Sequence, residues 1–175
     1  TILGHDLQYR WINIPNKPSK LCKVWAKHTN GGLNAKEILT LKDHTNAVRS
    51  VDWSPDGTKV CTGSQDHTAI IWSVTDGAKI FQLVGNTNYV VSSKWSPDGT
   101  KVATASSDST ATIWSAQTGT KLHNLTDHKS AVVDINWSPD GTKVATASYD
   151  NTAIIWSAVD GTKLFTLKHI NTVNA

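Results

Sequence analysis

The chain has 175 residues, 38% hydrophobic and 18% charged, a balance that suits a globular protein with an apolar core. Its formal charge of +3 comes from dispersed lysines rather than a basic block, which disfavours a nucleic-acid partner. No apolar run reaches membrane-spanning length, which argues against a membrane partner, and Cys22 and Cys61 make neither a disulfide framework nor a metal site.

Two cysteines without a framework fit a reducing compartment, so a cytoplasmic location is expected, with the nucleus left open. The chain starts at Thr1 and lacks methionine, and is therefore expected to be a fragment. The sequon at Asn124 is read as accidental, since nothing else points to secretion.

An octapeptide, Trp-Ser-Pro-Asp-Gly-Thr-Lys-Val, occurs at 53–60, 95–102 and 137–144, with a constant period of 42 residues. A fixed period of that size means stacked supersecondary units. Residues 1–42 form an irregular first unit: 7–14 read as a first strand, because His5 to Ile14 matches the spacing from His44 to Trp53. After Cys22 two registers are open. One makes Lys23-Val24-Trp25 the third strand, and is preferred because it resembles the later strand endings; the other keeps Leu21-Cys22 on strand two. The Gly31-Gly32 segment that follows is long for a tight turn.

Residues 43–84 form the first regular unit. Its first strand, 48–53, alternates with period two, and Ser54-Pro55-Asp56-Gly57 supplies turn chemistry. Strands at 58–64, 68–72 and 79–83 follow, separated by Gln65-Asp66-His67 and Thr75-Asp76-Gly77. Units 85–126 and 127–168 repeat this, and 169–175 begins a further unit or a tail. Four antiparallel strands per unit predict an all-β fold of propeller blades, about four of them, one irregular and three regular.

These residues resemble the WD-repeat β-propeller family. Trp-Ser at 72–73, 114–115 and 156–157 stands where the family has Trp-Asp, and an Asp lies six residues before each Trp. The resemblance implies a buried network of His44, Thr62, Asp66 and Trp72, repeated as His128, Thr146, Asp150 and Trp156. The middle unit has Asn86 beside Thr104, Asp108 and Trp114, an amide where the pattern has His, and is expected to be the weak point. Closed propellers of the family more often have about seven blades, within a range of roughly 4–8. Closure is therefore expected from residues beyond these, a partner chain, or a second copy, in that order.

The resemblance also places a partner-binding rim around the channel mouth. It implies Ala47, Arg49 and Gln65, then Tyr89, Val91 and Ser107, then Ala131, Val133 and Tyr149, with Gln8 and Arg10 from the irregular unit. Arg10, Arg49, Tyr89 and Tyr149 are the anchor types among these. Family members that serve cullin ubiquitin ligases carry an Arg two residues after the Trp-Asp pair; Thr75, Gln117 and Val159 occupy those places and disfavour that role. Trp53, Trp95 and Trp137 are expected to be core.

No nucleophile elbow, phosphate loop or His-Glu-x-x-His motif is present, so no enzyme activity and no cofactor are expected. Asp52, Asp56 and Asp66 read as turn residues rather than a Ca²⁺ loop, and His28, His67, His123 and His169 as exposed loop histidines. The expected function is a non-catalytic scaffold for a protein or peptide partner. The alternatives are a structural subunit, homodimer or half-propeller binding through open blade faces, and, less favoured, a propeller enzyme or lectin.

Overall fold

Valine-, isoleucine- and threonine-rich runs bounded by Pro-Asp-Gly and Asp-Gly turns leave this chain few options but short strands. The computed structural model describes residues 20, 22–27 and 35–168, and every regular element among them is a strand. β1 (Cys22–Lys27) pairs with β2 (Ala35–Leu41). One four-stranded sheet follows from β3 (Val48–Trp53), β4 (Lys59–Ser64), β5 (Thr68–Ser73) and β6 (Lys79–Val84). A second holds β7 (Val90–Trp95), β8 (Lys101–Ser106), β9 (Ala111–Ser115) and β10 (Lys121–Leu125). The third holds β11 (Val132–Trp137), β12 (Lys143–Ser148), β13 (Thr152–Ser157) and β14 (Lys163–Lys168). Every pairing is antiparallel and in chain order, the blade topology expected, and the described sheets do not close a ring.

In the irregular unit, β1 occupies the third-strand place. Cys22↔Leu41, Val24↔Leu39 and Trp25↔Glu37 reproduce Ala69↔Leu83, Ile71↔Phe81 and Trp72↔Lys79, with a register shift just before the Trp in both. That is the Lys23-Val24-Trp25 register. The first strand of this unit, Gln8, Arg10, His28 and residues 169–175 lie outside the described residues.

Each Ser-Pro-Asp-Gly turn is closed by its own side chains. The Ser54 hydroxyl donates to Asp56 Oδ1 at 2.5 Å and accepts from the Lys59 N–H at 2.9 Å, while Thr58 donates to Asp56 through both N–H and hydroxyl. Ser96 with Asp98 and Ser138 with Asp140 repeat this. The Ser hydroxyl, then the Thr donors, hold the Asp56 and Asp98 carboxyls at about 2 and Asp140 well below the usual range. Gly57 takes φ +68, the left-handed conformation these turns require.

The sheets stack face to face, and small residues make that approach close. Cys61, Ala69 and Ile71 meet Val90, Trp95, Val102 and Trp114 of the next sheet. Ala103, Ala105, Ala111 and Ile113 meet Val132, Ile135, Val144, Ile154 and Trp156. Burial pushes the Cys61 thiol up to about 12, so it packs as a small inert hydrophobe. Three polar links cross the same boundaries: Ser50 Oγ to Ser93 Oγ (2.9 Å), Ser92 Oγ to Asp134 (2.8 Å) and the Trp95 N–H to Asp52 (2.8 Å). Asp52 is therefore an inter-sheet acceptor, also facing Lys94 at 3.7 Å, and not the turn residue expected.

The first-strand tryptophans differ from one another. Trp95 is buried, whereas Trp53 and Trp137 are half-buried, the Trp137 indole donating to the Lys94 carbonyl at 3.1 Å. His123 is also reassigned: it lies in β10, not a loop, and packs over Gly161 of the next sheet.

That last contact belongs to a series. A Cβ on Gly161 would fall 2.9 Å from His123, and one on Gly119 2.8 Å from Phe81, while Gly77 faces Leu39 and Leu41 at 3.5 Å. Each fourth strand thus drops a side chain onto the glycine of the following sheet's third turn. Gly57→Ala, with open space around its Cβ, should cost only the left-handed strain of about 1–2 kcal/mol. Gly119→Ala should cost that plus about 1–3 kcal/mol for displacing Phe81. Urea unfolding of both, with Phe81→Ala added to Gly119→Ala, checks this: the excess should vanish in the double variant.

Candidate functional site

Two features stand at the upper end of the sheets, a buried hydrogen-bonded chain that is complete in the first and third regular units and a rim of variable residues above it. In the first regular unit the Trp72 indole N–H donates to Thr62 Oγ1 (2.8 Å), Thr62 Oγ1 lies 2.7 Å from His44 Nε2, and His44 Nδ1 lies 2.7 Å from Asp66 Oδ2. The carboxylate only accepts, so Nδ1 carries the proton, Nε2 accepts from the threonine hydroxyl, and that hydroxyl accepts from the indole. Trp156, Thr146, His128 and Asp150 repeat the chain at 2.9, 2.8 and 2.8 Å.

Asp66 also accepts from the Thr45 N–H and from the N–H and hydroxyl of Thr68. Burial pushes its carboxyl up, but the Thr68 hydroxyl, His44 and the Thr45 N–H outweigh burial and hold it below the usual range. Asp108 and Asp150 are lowered in the same way by Thr110 and Thr152. The residue after each of them, His67, Ser109 or Asn151, takes positive φ, so the turn wraps around its own carboxylate.

The middle unit keeps two ends of the chain and loses its centre. Trp114 Nε1 still donates to Thr104 Oγ1 (2.9 Å), and Asp108 Oδ2 still accepts from the Thr87 N–H (2.7 Å). Asn86 is 8% exposed, and neither its amide oxygen nor its amide nitrogen has a hydrogen-bond partner. Its neighbour differs too. Asp43 and Asp127 pair with Lys79 (3.0 Å) and Lys163 (2.5 Å), but Gly85 leaves Lys121 over the Trp114 ring at 5.5 Å.

The rim positions are gathered by two devices. Arg49, Val91 and Val133 sit at the register shift between the first and second strands of their sheets, Val48/Ser50, Val90/Ser92 and Val132/Asp134. A bulge re-aims the side chain it carries. The other two positions of each set are joined by a backbone bond: Gln65 N–H to the Ala47 carbonyl (2.9 Å), Ser107 to Tyr89 (2.9 Å) and Tyr149 to Ala131 (3.1 Å). Tyr89 is 40% and Tyr149 52% exposed, Arg49 is exposed, and Gln65, Val91, Ser107 and Val133 are half-buried.

With the Gln65 amide oxygen turned toward it, Arg49 donates through Nη2 (2.8 Å) and Nε (3.1 Å). His67, read in the sequence as a plain loop residue, packs its ring against Tyr89 with centroids 5.7 Å apart. Its place directly after the buried Asp66, at a left-handed turn, was the available signal. Among the described residues no group of three His, Cys, Asp or Glu side chains is placed to hold a metal.

Repeated four-stranded sheets with an Asp–His–Thr–Trp chain define a repeat protein of the propeller-blade class. The chain belongs to the WD40 family (WD domain, G-beta repeat), whose pattern matches residues 35–73, 77–115 and 119–157. It is similar to Protein HIRA of Oryza sativa subsp. japonica, 43% identical over 44 residues, 25% of this chain and 4% of that protein. It is also similar to Protein HIRA of Dictyostelium discoideum, 37% identical over 59 residues, 30% of this chain and 5% of that protein. Protein Mut11 of Chlamydomonas reinhardtii is 42% identical over 40 residues, 23% of this chain and 11% of that protein. The likeness to each relative therefore covers a small part of its length.

Asn86→His should complete the middle chain. The backbone at Thr87 already meets Asp108 as Thr45 meets Asp66, so the ring has both partners in place. Removing an unsatisfied buried amide should stabilise the protein by about 1–3 kcal/mol, and His44→Asn should destabilise it by a similar amount. Denaturant midpoints of the two variants check both signs.

Proposed function

We propose that this chain is a non-catalytic scaffold that captures a protein or peptide partner on its upper rim. The observation that carries the reading is the contrast at that surface. The carboxylates Asp66, Asp108 and Asp150 are saturated by their own loops, while the bulge and the adjoining backbone bond present Arg49, Tyr89 and Tyr149 outward. Tyr and Arg are the residue types that concentrate binding energy at interfaces. Membership of a repeat family supports a scaffold role, since such repeats build rigid surfaces on which the variable positions differ. The free, fully buried thiol of Cys61 supports an intracellular setting for it.

A second reading is favoured by one face. The third sheet carries Ala145, Ala147, Ala153 and Ile155 half-exposed where the first two sheets bury Cys61, Ala69 and Ile71, then Ala103, Ala105, Ala111 and Ile113. Phe165, the counterpart of Phe81, is 62% exposed. Assembly through this face, in a larger complex or with a second copy, would cover it. Native mass spectrometry tests that: a concentration-dependent dimer, lost in Phe165→Glu, would favour it, and a monomer at all concentrations would remove self-assembly.

For the rim, Tyr89→Ala with Tyr149→Ala should weaken a partner captured by the wild-type chain by at least about 30-fold, the loss expected of one interface hot spot. The melting temperature should barely move, because both rings lie at the surface and outside the core clusters. Parallel loss of fold and capture would refute the reading.

A further inference from the structure

The rim is not chemically uniform, and its Arg49 end points to a class of ligand. We propose that this end docks an acidic peptide segment with an aromatic or large apolar residue beside its carboxylate, an inference that rests on the rim reading above.

The argument starts from charge. Of the nine described rim positions, 47, 49, 65, 89, 91, 107, 131, 133 and 149, only Arg49 carries a formal charge. Among the described residues it has no carboxylate partner. The carboxylates of the corresponding turns are occupied: Asp66 by His44, Thr45 and Thr68, Asp108 by Thr87 and Thr110, Asp150 by His128, Lys129 and Thr152. The surface therefore presents an exposed, uncompensated cation.

Geometry then adds direction. Gln65 takes the Nε and Nη2 side of the guanidinium, which fixes the plane of the fork and leaves Nη1 pointing away from the amide. A planar fork held in place by a neutral amide suits a carboxylate, and a neutral neighbour does not lower its charge. The same turn, Gln65-Asp66-His67, carries the aromatic partner on its other side, because the His67 ring packs against Tyr89 of the next sheet. A guanidinium and a half-exposed phenol thus flank one three-residue turn across a sheet boundary. A ligand that touches both needs a carboxylate and an apolar surface a few residues apart. A nucleic-acid backbone calls for a stripe of cations, and the described rim positions hold one.

The test uses the whole chain and fluorescence anisotropy with two fluorescein-labelled dodecapeptides. One alternates Asp and Glu with Phe and Leu; the other replaces each carboxylate by its amide. The acidic peptide should bind about tenfold more tightly, the scale of one charge-assisted contact. Arg49→Gln should bring the acidic peptide down to the affinity of the amide peptide, and added salt should weaken the acidic peptide more than the amide peptide. Equal binding of the two peptides, both lost with Tyr89→Ala/Tyr149→Ala, would overturn the acidic preference and leave the rim standing. No binding of either peptide, or binding indifferent to the tyrosines and to Arg49, would overturn both. Stronger competition by a single-stranded oligonucleotide than by unlabelled acidic peptide would also overturn the proposal.

Discussion

One hydrogen bond is common to all three complete sheets: the third-strand indole to the second-strand hydroxyl, Trp72–Thr62, Trp114–Thr104 and Trp156–Thr146, at 2.8–2.9 Å and buried. An indole can only donate, and a buried donor without an acceptor costs about 1–3 kcal/mol. Threonine answers this with a hydroxyl on a β-branched side chain that already suits a strand. The bond locks two strands together beside the turn that joins them. That turn holds the aspartate, and the aspartate holds the loop entering the sheet through Thr45, Thr87 or Lys129. The upper surface is thus anchored to the core through a short polar chain rather than by loop packing.

The repeat seen in sequence and the sheet seen in structure are out of phase. The family pattern over 77–115 begins before β6, the outer strand of one sheet, and ends with β9, the third strand of the next. Each sequence unit therefore straddles two sheets. The contacts of Phe81 over Gly119 and His123 over Gly161 are the packing side of that offset. Stability in such a stack lies largely in nearest-neighbour interfaces, so the sheets support one another in series.

What could be read in advance was whatever the period of 42 repeats: the strands, the Pro-Asp-Gly turns, the four-residue chain and its gap at Asn86. These depend on local spacing, and one copy calibrates the next. The sheet-to-sheet links were not legible. Ser50–Ser93, Ser92–Asp134 and Asp52–Trp95 join positions 42 or 43 apart, and in each link at least one position changes residue type between units. Only packing decides which of them meet. The first-strand tryptophans show the same limit: identical in sequence, they are buried at 95 and half-buried at 53 and 137, because burial depends on the neighbouring sheet.

The rim shows why variable and constant residues can sit side by side. Arg49, Val91 and Val133 fall at a register shift, where the residue leaves the regular alternation of core and surface: Arg49 is exposed, while Val91 stays half-buried against the core shared with the next sheet. One position away, Val48, Val90 and Val132 remain paired in the ladder and valine in every unit. Alternation alone would make both neighbours answer to the core. The bulge loosens that duty for one residue per sheet, and the saturated carboxylate of the neighbouring turn helps to keep the backbone in place. Chemical freedom at the rim is a consequence of rigidity one residue below it.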